Sequence, residues 1–417
     1  MRKEVYIAGR LRASGGRTAL SLGIGAAGVA TAVAVMLLSL SVVTGFKGEI
    51  TRKVLGLDSH IKIANSTVTT GDASKTAFDG AGVARAIASS PYSAEIASVS
   101  LIGEKPCVLK TRDDFKGVVY RGVDGGYDWG FFAECLVAGR LPDMSAEANA
   151  CEIMLSSAVS REIGVGAGDS VYAYFIDERV RARRCPVVGV FSTDFEEYDG
   201  LYVVGNIRAL QSVNGWGDSI CSYVGVNVTD PLPERLEDLS YSLYGLVVTD
   251  AARSGSHVMP YVTDTRHNNA SYFSWLGLLD MNAAVIIVLM MIVSAFTLIA
   301  CMLMIALERV AMIGTLKTLG ATSGALRQIL VLLTSKLTLR GLVYGNVVAI
   351  AIALLQRRFH IIGLNADMYY MPWVPMELNA LHIALLDLGV LVVSYAALIG
   401  PSMLVASLRP SASIRYE

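Results

Sequence analysis

Four long apolar runs, at 19–43, 283–307, 329–355 and 381–408, are separated by very unequal polar intervals. Each meets the requirement of about 20 predominantly apolar residues for a bilayer-crossing helix. The pattern predicts one membrane helix, a large polar insertion, then three more membrane helices. From the end of the first run, apolar positions at Val42, Val43, Phe46, Ile50, Val54 and Leu57 continue with helical spacing. One helix over 17–55 would be roughly 55–60 Å long at 1.5 Å per residue, about twice the hydrocarbon thickness. The excess is expected to form a stalk, and 270–282 (ASYFSWLGLLDMN) extends the second run in the same way.

Between the first two runs the period shortens. Strands are expected at 60–64, 99–102, 117–123, 152–155, 170–175, 186–191, 201–204 and 223–228, where β-branched and aromatic residues are bounded by Gly, Asp, Asn or Pro. Helices are expected at 82–89, 156–163, 207–213 and 231–243, and 161–169 (REIGVGAGD) reads as a helix end, a turn and a strand start. The predicted fold class is a membrane α-helical protein with four transmembrane helices and a large mixed α+β domain inserted between helices 1 and 2. Its expected organisation is an inner N-terminal segment 1–18, helix 1 and stalk 19–57, the outer domain 58–267, and stalk and helix 2 at 268–307. An inner turn 308–328, helix 3 at 329–355, a short outer loop 356–380, helix 4 at 381–408 and an inner tail 409–417 complete it.

Composition agrees: 53% hydrophobic residues exclude a wholly soluble chain. Basic residues set the orientation, because short flanks rich in Lys and Arg stay inside. Arg2, Lys3, Arg10, Arg12 and Arg17, then Arg309, Lys317 and Arg327, then Arg409 and Arg415, place both termini and the 308–328 turn inside. The apolar core of the first run is longer than that of a cleaved signal, and no A-x-A site follows, so an uncleaved anchor is expected. A net charge of −1, with no basic run interleaved with aromatics, gives no footprint for nucleic acid. Cys107, Cys135, Cys151, Cys185 and Cys221 fall in the outer stretch and Cys301 in the second run. Outside the cell interior disulfides are permitted, so buried free thiols and one or two bridges both stay open, and residue order does not give the pairing.

No catalytic constellation stands out. There is no G-x-x-x-x-G-K-[ST] loop, and His60, His257, His267, His360 and His382 are scattered without metal-type spacing. No bound cofactor or metal is expected. The 308–327 stretch (ERVAMIGTLKTLGATSGALR) has Ile313, Leu316 and Leu319 along one side of a short helix, Lys317 at its margin and Gly320 as its stop. It reads either as a handle for an inner partner or as a passive interfacial turn. Lys336 and Arg340 share a face of the third run, and Asp387 lies in the fourth. Such charges cost roughly 2.5–3.5 kcal/mol each in a membrane. A structural or snorkelling role and an ion pathway are the competing readings, with Asp387 expected too far in depth to meet Arg340. Gly23, Ala27 and Thr31, at four-residue spacing, suit close helix packing, either within the chain or against a second subunit.

Several segments in order carry a family resemblance: YIAGRLRA (6–13), SLSVVTGFKGEITRKVLGLDSHIKI (39–63), VVGVFSTDFEEYDGLYVV (187–204), ERVAMIGTLKTLGAT (308–322), DMYYMPWVPMELN (367–379) and PSMLVASLRPSASIRYE (401–417). Together they resemble ABC-transporter permeases of the FtsX/MacB superfamily, and within it the lipoprotein-release (LolC/LolE) type. The resemblance implies an inner-membrane, multi-pass, non-catalytic permease with a MacB-like periplasmic domain. A separate LolD-type cytoplasmic ATPase, holding the ATP and Mg, would dock on Glu308, Arg309, Ile313, Leu316, Lys317 and Gly320. The chain would pair with a second permease subunit, as a homodimer or heterodimer. Lipoprotein cargo would enter between the first and second helices, near Met36, Leu40, Val43, Phe46, Val285, Leu289 and Ile292. Mechanotransmission through the stalks would then release it to a possible periplasmic carrier. The alternatives within the resemblance are an FtsX-like signalling permease and a MacB-like efflux permease. One departure is that the loop that hooks the carrier in LolC-like subunits corresponds here to the short basic IDERVRARRC (176–185), so Arg179, Arg181, Arg183 and Arg184 are either a partner contact or a solvated hairpin tip.

Overall fold

The computed structural model describes residues 16–66, 77–144, 151–176, 179–254, 259–308 and 310–406. The chain divides into two compact units. One comprises the chain up to Glu49, Trp275–Gly363 and the chain from Trp373; the other comprises Ile50–Ser274 and Leu364–Pro372.

The first unit is helical. Among the described residues four helices are long and apolar enough to cross a membrane. With the other helices of eight or more residues numbered in chain order, α1 is Gly16–Leu57, α2 Gly80–Ala88, α3 Ile207–Asn214 and α4 Pro233–Ser254. Then come α5 at Ala270–Glu308, α6 at Val310–Thr318, α7 at Ser323–Phe359 and α8 at Ala380–Ala406. The 42 residues of α1 make it about 63 Å long at 1.5 Å per residue, and the 39 of α5 about 58 Å. No proline interrupts either, and the packed faces draw on small side chains. A Cβ on Gly341 of α7 would lie 2.7 Å from Val29 Cβ, and one on Gly345 would lie 2.7 Å from the Ala30 carbonyl oxygen. Gly28 leaves the same room for Thr297 of α5. These contacts let α1 approach both α5 and α7 closely, around a core that includes Val29, Val33, Met36, Leu298, Met302, Leu337 and Leu342. Gly23, Ala27 and Thr31 lie on the exposed side of α1 instead.

The second unit is built on one ten-stranded sheet. Its strands are β1 (Ile61–Asn65), β3 (Ile96–Lys110), β4 (Phe115–Val123), β5 (Leu136–Gly139), β6 (Ile153–Ser156), β7 (Ser170–Ile176), β8 (Val180–Phe191), β9 (Tyr202–Asn206), β11 (Tyr223–Val228) and β12 (Pro260–Asp264). The short β2 (Phe78–Asp79) and β10 (Ile220–Cys221) pair separately. The fifteen-residue β3 belongs to two layers. Its first half pairs with β11, which continues to β1 and β12. The helices α2 and α4 cover this part, burying Ile61, Ile63, Val83, Ile87, Val226, Leu239 and Leu243. Its second half pairs with β4 and also with β7, so that β3, β4, β9, β6, β8 and β7 close into a ring. The interior is filled by Leu109, Tyr120, Ile153, Val171, Phe175, Val187 and Val203, with Tyr120 and Phe175 edge to face at 5.7 Å.

Eight expected strands and four expected helices of the insertion have counterparts here, with bounds shifted. The largest differences are at β3, which runs well beyond 99–102, and α4, which continues to Ser254. Among the described residues of the basic stretch, Val180–Cys185 belongs to β8, which pairs Arg181 with Phe175 and Arg183 with Ala173 of β7. β12 escaped the sequence reading: it is an edge strand with one neighbour, so alternation is weak.

Candidate functional site

The turn between the second and third apolar helices is short and well defined. α6 ends in a Schellman arrangement: Ala321 N donates to the Leu316 carbonyl at 2.9 Å and Gly320 N to the Lys317 carbonyl at 3.1 Å. Gly320 has φ of 88°, a conformation that costs a side chain but not glycine. Two residues on, Thr322 accepts from Ala325 N and starts α7. This fixes which side chains point where. Ile313 is buried in the chain's own helical core and Leu316 packs against that core, so both make contacts within this chain. Glu308, at the end of α5, is exposed, Lys317 is half-buried, and Gly320 is exposed. Arg309 lies outside the described residues. The side chain presented outward is Leu319, at 79% exposure. Sequence periodicity grouped it with Ile313 and Leu316, but its N–H still donates helically to the Thr315 carbonyl at 3.1 Å, and at 3.6 residues per turn it stands about 120° round from Ile313.

The seven positions proposed along α1 and α5 separate into two groups. Met36 is wholly buried and Leu40 and Val43 half-buried, and Phe46 is buried edge to face with Trp275 at 5.5 Å. Val285, Leu289 and Ile292 are exposed, at 62%, 53% and 48%. Next to them Val288, Met291, Ile292, Ala295, Phe296, Ile299 and Val393 line a cleft of about 310 Å³ without a polar wall. Of these seven positions only the three on α5 are exposed, while those on α1 are buried or half-buried, and the cleft lies between α5 and α8, which supplies Val393. Across the same two helices Lys47 and Asp280 pair at 2.6 Å, but both are about half exposed, so the pair contributes little stability.

Lys336 and Arg340 are exposed on α7, and neither meets Asp387. The Asp387 carboxylate accepts from Asn346 Nδ2 at 2.7 Å, one helix pair joining α7 to α8. Asn346 carried no charge to betray it in the sequence.

In the second unit two buried cations hold the end of α1. Arg121, near the end of β4, is 3% exposed. Its Nε donates to Glu104 Oε1 at 2.6 Å, and its Nη1 donates to the Leu57 carbonyl at 2.7 Å and to the Tyr198 hydroxyl at 3.0 Å. The guanidinium lies 4.5 Å from the Tyr202 ring centre. Leu57 is the last residue of α1, so Arg121 satisfies a terminal carbonyl at the negative end of the helix. Burial alone lowers the pKa of Arg121, but Tyr198, Tyr223, Glu104 and Asp58 outweigh it and the net direction is upward. One turn earlier Lys53, 5% exposed, donates to the Tyr370 carbonyl at 2.8 Å and lies 3.6 Å from Asp194 Oδ2. Asp194 and Tyr370 have φ of 56° and 59°, left-handed conformations that non-glycine residues adopt at a cost. Phe195 stacks on Tyr370 at 4.4 Å, and Tyr272 packs against both. Thus Lys53 clasps the domain loop at Asp194 to the 364–372 loop. The sequence signals were faint: a lysine inside an amphipathic helix, and an arginine inside the apolar strand VVYRGV.

No protein-family model matches the chain. Among curated proteins, the lipoprotein-releasing system transmembrane protein LolC of Xylella fastidiosa is 22% identical over 406 residues, covering 94% of this chain and 92% of that protein. LolC of Neisseria meningitidis serogroup B is 22% identical over 408 residues, covering 94% and 93%. LolE of Haemophilus influenzae is 21% identical over 404 residues, covering 93% and 92%. Among solved structures, the periplasmic region of MacB from Actinobacillus actinomycetemcomitans aligns with 52% of this chain and 95% of that one, at 14% identity and a TM-score of 0.36, too distant to bear on function. The match to the first three runs almost end to end, through the apolar helices and the inserted domain alike, and makes the chain a homologue of the lipoprotein-releasing system transmembrane proteins LolC and LolE.

Proposed function

We propose that this chain is a non-catalytic permease subunit of an ATP-driven ABC complex that extracts lipoproteins from the outer leaflet of the inner membrane and releases them towards the outer membrane. The observation that carries this reading is the 94% coverage by proteins named for lipoprotein release. In this reading both termini and the 308–328 turn are cytoplasmic and the 58–267 domain is periplasmic. Drawing an acyl chain out of a bilayer costs about 0.8 kcal/mol per CH₂, so an external energy source is required. A LolD-type ATPase, which brings ATP and Mg, docks on the turn around Leu319, Gly320, Lys317 and Glu308. The apolar cleft on α5, with Val285, Leu289 and Ile292 beside it, receives acyl chains. The exposed line of Gly23, Ala27 and Thr31 on α1 is the packing surface for the second permease subunit.

The test is to purify the tagged protein in mild detergent with whatever it retains, reconstitute it in liposomes with a triacylated lipoprotein, and add ATP. A co-purified ATPase and ATP-dependent appearance of the lipoprotein in the soluble fraction are expected. An ATPase that co-purifies with a periplasmic hydrolase, and no release, would point to signalling instead; the absence of any ATPase would overturn the proposal.

A further inference from the structure

Three cysteines converge on the closed ring of the second unit. Cys107 and Cys185 are buried inside it, and Cys151, half-buried, packs against the same cluster just before β6. The register separates them. β6 runs parallel to β8 with Ile153 opposite Val187. Counting two residues back along both chains brings Cys151, in the turn that leads into β6, level with Cys185. Cys185 lies on the face of Val187 in the ring interior, and Cys151 packs against the same cluster. Neighbouring strands are about 4.7–4.9 Å apart, within the roughly 4.4–6.8 Å Cα separation that a disulfide spans. Cys107 stands opposite Val118 on β4, and Cys221 pairs in register with Phe78. All six cysteines are free thiols in this structure.

We propose that Cys151 and Cys185 are a disulfide-forming pair, closed by thiol–disulfide exchange with an oxidised dithiol protein, and that the bond staples β6 to β8. β6 needs such a staple, since it meets β9 through only the Ile153–Gly205 and Met154–Val204 pairs and its register with β8 shifts between Ile153 and Met154. The chemistry has a direction. A hydrogen bond from Cys185 favours the Cys151 thiolate, burial opposes it, and Arg183 adds to the stabilisation, so Cys151 falls to about 7 while Cys185 is pushed up. The half-exposed Cys151 is therefore the attacking sulfur. It displaces one sulfur of the donor disulfide and forms a mixed disulfide. The Cys185 sulfur then attacks Cys151, and the second donor sulfur leaves. The two protons given up by the pair end on the donor's two thiols, and the electron pair goes with them.

In the cell the reaction needs the periplasmic placement of this domain, so it rests in part on the proposed function. The full-length protein is tested in two arms. In the first, cells are quenched in acid, free thiols are alkylated under denaturing conditions without reductant, and the digested protein is searched for the Cys151–Cys185 linked peptide. In the second, purified reduced protein in detergent is exposed to oxidised glutathione and treated in the same way. Linkage in both arms is expected, with Cys107, Cys135, Cys221 and Cys301 alkylated. Reduction should lower the unfolding midpoint of the wild type by on the order of 10 °C and leave that of Cys151→Ala unmoved. Linkage in the second arm alone upholds the pair and counts against the periplasmic placement. No linkage in the second arm, or a link to another cysteine, overturns the proposal.

Discussion

Arg121→Met removes the side chain on which the end of α1 depends, while keeping an unbranched apolar stem of similar length. Three groups lose their donor at once: Glu104, whose side chain is 21% exposed, the Leu57 carbonyl and the Tyr198 hydroxyl. Breaking a buried ion pair by removing one partner costs about 3–5 kcal/mol, because the remaining charge is left without compensation. Glu104 keeps the Tyr223 hydroxyl at 3.0 Å and some solvent, which places the expected loss near the lower end, about 3 kcal/mol. For a unit of this size that is a fall in unfolding midpoint of roughly 6–12 °C. The assay is thermal unfolding of the full-length protein in detergent, read by intrinsic fluorescence. Two companion variants make the reasoning specific. Arg121→Lys should recover less than half of the loss, since an ammonium does not reproduce the fork that serves Glu104 and Leu57 together. Arg121→Met with Glu104→Gln should be more stable than Arg121→Met alone, since the orphaned charge is gone. If Arg121→Met melts within about 2 °C of the wild type, or if the double variant is no better than the single one, the account of Arg121 as a buried charge paired with Glu104 is wrong.

The remaining predictions concern other parts of the molecule. Leu319→Asp should weaken ATPase retention by roughly 10- to 200-fold, because a leucine that becomes buried at an interface is worth about 1.5–3 kcal/mol; unchanged co-purification would remove Leu319 from the docking surface. Lys53→Met should release the strained turns at Asp194 and Tyr370, detectable as faster limited proteolysis of the 364–372 loop in the full-length protein; unchanged cleavage would show that the aromatic stack holds the loop without the lysine. His60 accepts a hydrogen bond from Val228 N at 2.9 Å on Nδ1, and burial holds its pKa below 6.5. The unfolded chain binds the proton more readily, so stability is fully present above pH 6.5 and falls as pH drops through and below that value. The midpoint measured in thermal scans should decline on acidification and decline less in His60→Asn. Combined Lys336→Met, Arg340→Met and Asp387→Asn should leave ATP-driven lipoprotein release within about twofold of the wild type if these charges carry no ion pathway; abolished release with an intact complex would revive one.

How much of this was legible in the sequence follows from how local each cause is. The four apolar helices and the strand–helix alternation of the insertion are written in periodicity, because burial on one face repeats every 3.6 or 2 residues whatever the partner is. The closed ring is not, since it depends on β3 meeting β7 across the registers Val108–Tyr174 and Leu109–Ala173, and strand order leaves no mark on alternation. The inner turn illustrates the boundary between the two. Its helix and its glycine stop were readable residue by residue, but Ile313, Leu316 and Leu319 share one apolar stripe on paper. What separates two core residues from one exposed residue is angle: Leu319, still bonded helically to Thr315, stands about 120° round from Ile313 at 3.6 residues per turn. Lys53 and Arg121 lay further out of reach, for a charge inside an apolar segment announces that it has partners without naming them. Glu104, Tyr198 and Asp194 are far from them in sequence, and two further partners, the Tyr370 and Leu57 carbonyls, are backbone atoms that any residue supplies. That difference decides where substitution is informative. At Arg121 and Lys53 the cation is the only replaceable half of each backbone contact, so changing the cation tests the joint, whereas changing Leu57 or Tyr370 alters the packing and leaves the acceptor in place.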